Sequence, residues 1–246
     1  MNGTPREPAA SPSSAGGATT SDRTRDALLI ALTFAAGVVD AVSYLGLGHI
    51  FTANMTGNLV FLALAVGQGS LLTALYSVGA LIGFSVGAIV AGQILVRPRP
   101  PDPWPRRVTL VLGGELACLT AFAALWAVLG GTMAGGAPIY VLVGLSSLGM
   151  GMQNAAARHL AVPGLTTTVV TTALTGFMVD LPALGISGTG QRRAVSAILA
   201  LFLGAAVGAA LVVYGRPYAP FVTVGAVATV VVVAFVVFDR RSGTPA

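Results

Sequence analysis

Charged side chains are scarce in this chain, since only 9% of its 246 residues are Asp, Glu, Lys or Arg. A typical soluble domain carries roughly a quarter. The 13 basic residues are all arginine and lie in loops and tails between apolar stretches. They form no single basic surface, so no nucleic-acid partner is expected, and their placement is typical of a membrane topology signal. With 55% hydrophobic residues and a mean hydropathy of +0.85, the chain is predicted to be an integral membrane protein whose partner is the lipid bilayer.

Cysteine and the common catalytic motifs are equally sparse. The single cysteine, Cys118, lies inside an apolar run, so an intramolecular disulfide and a Cys/His metal site are excluded. The chain has no Gly-x-Ser-x-Gly elbow, HExxH pair, Walker loop or dinucleotide fingerprint. We therefore expect no enzyme, cofactor or metal. A minor alternative is an intramembrane enzyme in which Asp40 and Asp180 share a proton.

Six apolar runs have the length that about 30 Å of hydrocarbon requires. They cover approximately 27–48, 71–96, 108–129, 138–157, 194–214 and 219–238. Two further apolar segments, 51–67 and 164–187, are interrupted by polar residues. If both of these crossed fully, the arginines of the 97–107 loop would fall outside, against the positive-inside rule. We therefore predict an all-α protein with six transmembrane helices, two broken or re-entrant segments, and both termini in the cytoplasm.

The two halves of the chain resemble each other. Four short matches occur in the same order, with offsets between 114 and 121: GVVDA with GMQNA, MTGNLV with LTGFMV, GFSVGA with GAAVGA, and Arg-Pro with Arg-Pro. Three crossings in each half would make the second repeat inverted, as in many secondary transporters. The predicted organisation is a disordered cytoplasmic tail (1–26), a first membrane repeat (27–129), an external loop (130–137), a second repeat (138–238) and a cytoplasmic tail (239–246).

The stretch FTANMTGN (51–58) raises the question of what its polar groups do between apolar runs. Asp40 lies about 20 Å into the first span, where a charge costs roughly 2.5 to 3.5 kcal/mol and needs a partner, water or a proton. One reading gives Asp40 a solute, cation or proton role. The other gives it hydrogen bonds to the unwound FTANMTGN backbone, whose groups would otherwise be unsatisfied in lipid.

A central polar site is predicted where the two broken segments meet. Amides and hydroxyls suit a neutral or zwitterionic solute, and the two carboxylates suit a proton. The candidate residues are Asp40, Asn54, Thr56, Asn58, Gln153, Asn154, Thr175 and Asp180. The alternative is that these groups satisfy one another and nothing passes. Outside this set, Glu115 is expected to lie near the cytoplasmic side and to pair with Arg106 or Arg107.

The motifs GVVDAVSYLGLGHIFTANMTGN (37–58) and MGMQNAAARHL (150–160) resemble the YoaK family of bacterial membrane proteins, over about residues 25 to 240. The matching positions are Gly37, Asp40, Tyr44, Phe51, Asn54, Thr56, Gly57, Asn58, Gly151, Gln153, Asn154 and Arg158. The resemblance implies an inner-membrane protein of about six helices whose molecular activity is not assigned. The Ser- and Pro-rich leader departs from the family pattern.

Two functions follow from these patterns. The leading hypothesis is a small secondary transporter or permease in the bacterial inner membrane, with proton coupling through Asp40 or Asp180. The competing hypothesis is a membrane scaffold or interaction protein whose polar motifs are structural. The glycine-rich faces of 83–87 and 204–208 would pack either within a monomer or between copies in a homo-oligomer.

Overall fold

The computed structural model describes residues 19–96, 103–131, 136–162 and 189–239, and these ranges contain no strand. The α-helices are α1 (Thr20–Gly46), α2 (Met55–Gln68), α3 (Leu71–Leu95), α4 (Arg106–Val128), α5 (Ala137–Leu160), α6 (Thr189–Tyr214) and α7 (Ala219–Ala234). A 3₁₀ turn, Arg216–Tyr218, precedes α7, and a π-helical turn, Phe235–Asp239, follows it. The predicted all-α architecture is confirmed.

Five helical segments are long and apolar enough to cross a membrane: Thr20–Gly46, Leu71–Leu95, Arg106–Val128, Gly190–Tyr214 and Arg216–Phe238. They correspond to five of the six predicted spans. The sixth prediction, 138–157, coincides with α5, which has 24 residues but is less apolar. This helix carries Ser146, Ser147, Gln153 and Asn154 and buries half of its length. A central helix tolerates such polarity because few of its side chains would meet lipid.

The interior consists of two core layers that lie at opposite ends of the helices. The first layer contains Leu29, Leu95, Val108, Ala157, Ala197 and Phe238. The second contains Val42, Ala80, Trp126, Ile139, Val212 and Ala219. Each long helix contributes to both layers, and α1, α3, α4, α5, α6 and α7 run between them in alternating directions. The described chain therefore passes through the bundle six times, and α1 begins in the same layer in which α7 ends.

The first irregular segment does not cross the bundle. Helix α1 ends in the second layer, and α3 begins there: a Cβ at Gly48 would lie 3.0 Å from Cδ2 of Tyr76. Between them, α2 has only 14 residues, about 21 Å at 1.5 Å per residue, which is too short to span about 30 Å of hydrocarbon. The segment is thus re-entrant. The second irregular segment, 164–187, lies outside the described residues, although α5 ends and α6 begins in the first layer.

Two parallel helix pairs, α1 with α6 and α5 with α3, are interlocked through glycines. A Cβ at Gly37 would overlap the Leu201 carbonyl and lie 2.9 Å from the Ala205 nitrogen, and a Cβ at Gly204 would overlap the Phe34 carbonyl. Their backbones can approach this closely only because both positions lack a side chain. Gly83, Gly87, Gly204 and Gly208 all pack in this way, so the glycine-rich faces are used within the chain.

The second pair repeats the contacts of the first. A Cβ at Gly151 would overlap the Phe84 carbonyl and lie 2.9 Å from the Ala88 nitrogen, while Gly87 faces the Leu148 carbonyl. Residues of α1 thus correspond to residues of α5 that are 114 positions later, as predicted from the sequence. Residues of α3 correspond to α6 at 117 positions, not at the predicted 121. The sequence match paired Gly83 with Gly204, whereas the backbone contacts pair Gly87 with Gly204, one helical turn away.

These equivalent helices run in opposite directions. Helix α1 leaves the first layer, whereas its counterpart α5 enters it, and the same reversal relates α3 to α6. The packing of α4 on α5 is likewise matched by that of α7 on α1. The described helices are therefore related by a pseudo-twofold axis that lies across the bundle, which is the geometry of an inverted repeat. The exact bounds of the two repeats stay predictions.

Candidate functional site

The Asp40 carboxylate accepts hydrogen bonds from the backbone at the start of the re-entrant segment. Its Oδ1 accepts hydrogen bonds from the backbone N–H groups of Thr52, at 3.0 Å, and Ala53, at 2.7 Å. These two donors belong to non-helical backbone, which has no helical acceptor and must be satisfied inside a membrane protein. Asp40 itself is half-buried on α1. The predicted hydrogen bonds between Asp40 and the FTANMTGN backbone are thus present.

Asn58 closes the segment on itself. Its side chain is fully buried, accepts from the Phe51 N–H at 2.9 Å and donates back to the Phe51 carbonyl. Gly57 permits this closure, since a Cβ there would lie 2.7 Å from Cδ2 of the Phe51 ring. The side chain of Asn58 therefore replaces two backbone hydrogen bonds that a helix would have supplied.

Three buried hydroxyls connect the re-entrant segment to α1 and α5. Thr52 Oγ1 donates to Ser43 Oγ at 3.3 Å and is hydrogen-bonded to Ser146 Oγ at 2.8 Å. All three side chains have zero exposure. Sequence reasoning missed them. The available signal was that Ser146 lies seven residues before Gln153, two helical turns along the same face of α5.

Gln153 forms a second polar contact between α5 and α1. Its Nε2 donates to the Leu32 carbonyl at 3.1 Å, and the side chain is fully buried. Its Oε1 has no hydrogen-bond partner among the described residues. The neighbouring Asn154 is half-buried. The crossing of α1 and α5 is consequently polar at two levels, at Ser146 and at Gln153.

The remaining predicted site residues lie elsewhere. Asn54 precedes α2 without a capping bond from its side chain, and it is exposed together with Thr56. The two side chains take no part in the hydrogen bonds of Asp40, Asn58 and Thr52, although the backbone of Asn54 lies beside the Asp40 carboxylate. Thr175 and Asp180 lie outside the described residues.

Aromatic rings cover the outer side of the re-entrant segment. Tyr44 stacks on Phe51 with centroids 5.4 Å apart, and Phe51 stacks on Phe61 at 5.6 Å. His49 meets the edge of Tyr44 at 5.1 Å and is exposed, in agreement with an interfacial position. These ring contacts join α1, the re-entrant segment and α2.

The prediction for Glu115 was wrong. This residue is fully buried in α4, and neither carboxylate oxygen has a hydrogen-bond partner within the described ranges. Glu115 follows the first residue of α4 by nine positions, about 13 Å along the axis. Arg107 instead donates to the Ile94 carbonyl at the end of α3, at 3.3 Å. The distance along the helix was therefore too large for the expected ion pair.

No cluster of three or more His, Cys, Asp or Glu side chains that could hold a metal ion occurs in 19–96, 103–131, 136–162 or 189–239. What the arrangement offers is a set of amide, hydroxyl and carboxylate groups enclosed between helices. Such groups recognise polar solutes through hydrogen bonds, or they stabilise an unwound segment.

Comparison with known proteins identifies the family to which this chain is similar. The family model described as "Protein of unknown function (DUF1275)" matches residues 28–235. The "UPF0700 transmembrane protein YoaK" of Bacillus subtilis (strain 168) is 40% identical over 157 residues, which cover 64% of this chain and 67% of that protein. No solved structure gives a significant match.

Proposed function

Because this chain belongs to the DUF1275 family, a family whose description assigns no activity, we propose its function from its architecture: a small secondary transporter for a polar solute. The resemblance to the YoaK family is confirmed. The chain is a multi-pass transmembrane protein. We propose a transport role rather than an enzymatic one, with the solute bound where α1 crosses α5.

The observation that carries this proposal is the inverted relation between the two halves. Helix pairs α1–α6 and α5–α3 share equivalent glycine contacts and run in opposite directions. Inverted repeats of this kind allow two conformations of similar energy, because each half can adopt the arrangement of the other. A site on the pseudo-twofold axis would then open alternately to the two sides of the membrane.

The chemistry of the crossing suits a neutral or zwitterionic solute. Thr52, Ser146 and Gln153 offer hydroxyls and an amide, and the Gln153 oxygen is unused by the described residues. Asp40 would not contact the solute but would position the re-entrant backbone beside it. Fold analogy alone proves no function, so the assignment depends on whether the crossing opens.

The arginines support an orientation. Seven of them lie at helix ends beside the first core layer: Arg23, Arg25, Arg106, Arg107, Arg158, Arg192 and Arg193. Arg216 lies beside the second layer. The positive-inside rule then places the first layer at the cytoplasmic face. We accordingly propose a bacterial inner-membrane location with both termini in the cytoplasm.

The test is whether the crossing becomes accessible from both sides. Ser146→Cys would be made in a Cys118→Ala background and treated with a small membrane-impermeant thiol reagent in right-side-out and inside-out vesicles. We expect reaction in both preparations. Val143→Cys is the matched control, because Val143 is fully buried in the same helix between apolar residues, and it should stay unreactive. Reaction of Ser146→Cys from one side only would contradict alternating access.

A membrane scaffold is the second candidate function. The observation that favours it is that Asp40, Asn58 and Thr52 already satisfy the re-entrant backbone. A scaffold predicts that Ser146→Cys is unreactive from either side. Because Asp40 binds the re-entrant backbone under either function, Asp40→Asn should lower the melting temperature in both cases and does not separate them.

A further inference from the structure

The Glu115 carboxyl group has no hydrogen-bond partner among the described residues. Glu115 lies in α4 among buried apolar residues, with Leu112 and Leu119 on its own helix. On α5, a Cβ at Gly149 would lie 3.5 Å from the Glu115 carbonyl oxygen, and a Cβ at Gly114 would lie 3.1 Å from the terminal methyl of Met152. Helices α4 and α5 therefore pack closely at the level of Glu115, and its side chain has zero exposure.

The titratable groups near Glu115 are few. On α4 they are Cys118, one turn away, and the arginines at the helix start. Helix α3 and helix α7 carry no Asp, Glu, His, Lys or Arg, and α5 carries only Arg158 and His159, in its last turn. Tyr76 and Tyr140 contact each other in the second layer. On α1, Asp40 is engaged with the re-entrant backbone.

An ionised carboxylate in this position would be strongly unfavourable. Removing a charge from water without a partner costs several kcal/mol at least, and groups in this situation neutralise instead. Arginine does not supply the neutralising charge here, because neither Glu115 oxygen has a hydrogen-bond partner within the described ranges. Arg106 and Arg107 begin α4, Arg158 lies in the last turn of α5, and Arg216 begins the 3₁₀ turn beside the second layer. A bound proton is the smallest cation that removes the charge.

Unused polar atoms lie on the two helices that pack against α4. They are Ser147 Oγ and Gln153 Oε1 on α5 and Thr223 Oγ1 on α7, each buried and without a hydrogen-bond partner in the described part of the chain. Gln153 is one turn beyond Gly149, which packs against the Glu115 backbone carbonyl, and its Nε2 donates to Leu32 of α1. Ser147 faces α3, since its Cβ would lie 3.2 Å from a Cβ at Gly83. Buried polar atoms are normally satisfied. Among these unsatisfied groups on α4, α5 and α7, only Glu115 can take up and release a proton.

We propose that Glu115 binds a proton inside the membrane and is the group through which transport is coupled to protons. One carboxylate oxygen takes up the proton and becomes a neutral carboxyl, and release of the proton restores the carboxylate. Proton binding by Glu115 does not depend on transport, whereas its coupling role rests on the proposed function. Asp40, which the sequence suggested for this role, is already committed to two backbone N–H groups.

The sequence permits a direct test, because the chain contains only two glutamates, Glu7 and Glu115. A full-length Glu7→Gln protein, labelled with glutamate carrying ¹³C in the side-chain carboxyl, would be placed in lipid nanodiscs and studied by infrared spectroscopy at neutral pH. We expect a protonated-carboxyl carbonyl band that shifts with the ¹³C label and again in D₂O. Absence of a label-sensitive protonated band would overturn proton binding.

Two isosteric variants show whether the infrared band belongs to Glu115 or to Asp40. Glu115→Gln should lose the band completely, and Asp40→Asn should keep it. A protonated-carboxyl band that does not shift with the glutamate label and is lost in Asp40→Asn, with no label-sensitive band beside it, would assign the proton to Asp40 and refute the proposal. If Glu115→Gln does not fold, the labelled wild-type spectrum still decides. Loss of the band on adding Na⁺ at constant pH would mean that the site holds a metal cation instead.

The coupling role has its own measurement. The rate at which Ser146→Cys reacts from each side should depend on pH, and the Glu115→Gln substitution should abolish that dependence. If the infrared band is present but Ser146→Cys is unreactive from both sides, proton binding stands and the transport proposal fails. If Ser146→Cys reacts from both sides with the same pH dependence in the Glu115→Gln background, transport stands and Glu115 is not its coupling group.

Discussion

Alanine at Gly151 should destabilise the protein by about 1 to 3 kcal/mol, the usual cost of overpacking. The new Cβ would lie 2.9 Å from the Phe84 carbonyl carbon and 2.9 Å from the Ala88 nitrogen. Non-bonded carbons rest at about 3.5 to 4.0 Å, so α5 and α3 would have to separate by more than about 0.5 Å. The obstructing atoms are backbone and cannot rotate away. The symmetry-related Gly37→Ala should cost a similar amount, because its Cβ meets the equivalent atoms of α6.

The assay is reversible unfolding of the purified protein in mixed micelles, with the free energy of unfolding compared among variants. Gly92→Ala and Gly113→Ala are the controls, since a Cβ at either position meets no atom within 4 Å. Alanine is the better helix former, so these two should be unchanged or up to about 1 kcal/mol more stable. The Gly37→Ala and Gly151→Ala losses should add within about 0.5 kcal/mol, because the interfaces are separate. Losses no larger than those of the controls would refute both the close packing and the inferred pseudo-symmetry.

Three further predictions concern the polar contacts. Asn58→Ala should lower the free energy of unfolding by about 1 to 3 kcal/mol, because the Phe51 backbone loses both hydrogen-bond partners. Asn54 is exposed, so Asn54→Ala should change this free energy by less than about 0.5 kcal/mol. Equal effects would contradict the role of Asn58. Thr52→Val keeps the shape of the side chain but removes the hydrogen bond to Ser146, so it should lower the free energy of unfolding by about 1 to 2 kcal/mol. The double variant with Ser146→Ala should lose less than the sum of the two single variants. Strict additivity would count against this hydrogen bond. Arg193 of α6 forms an ion pair with Asp26 of α1 at 2.6 Å. A double-mutant cycle with Arg193→Gln and Asp26→Asn should give a coupling energy of about 0.5 to 1 kcal/mol that falls in high salt. A coupling energy near zero at low salt would argue against this pair.

The helices could be predicted because their length is set by the bilayer and is readable from apolar runs alone. The re-entrant character of 51–67 followed from the polar residues within it and from the arginine count. The register between the halves could not be read in the same way. The pair Gly83 and Gly87 has the same spacing as Gly204 and Gly208, so the sequence alone favours an offset of 121, whereas an offset of 117 matches only Gly87 with Gly204. Only the backbone that each glycine touches, such as Phe34 for Gly204, decides between them.

The site was predictable where backbone satisfaction demands a partner. Asp40 and Asn58 were identified because an unwound segment in lipid needs hydrogen bonds. The hydroxyl bridge was missed because serine and threonine often bond to their own helix, as Ser85 does to the Leu81 carbonyl. The spacing from Gln153 places Ser146 on the same face of α5, but the sequence does not show which hydroxyl it contacts. Glu115 was misjudged because proximity in sequence to arginines was taken for proximity in space.

The interlocked pairing of α1 with α6 also bears on how the protein is made. Helix α1 ends at Gly46, whereas α6 begins at Thr189, so the ribosome must synthesise the re-entrant segment and three further crossings before α1 meets its tightest partner. Until then, the groove at Gly37 has only lipid to fill it. The delay is shorter for α3, because only α4 is made before its partner α5. Neither half can mature alone, and a chain severed between α4 and α5 would need both fragments in the same membrane to reassemble.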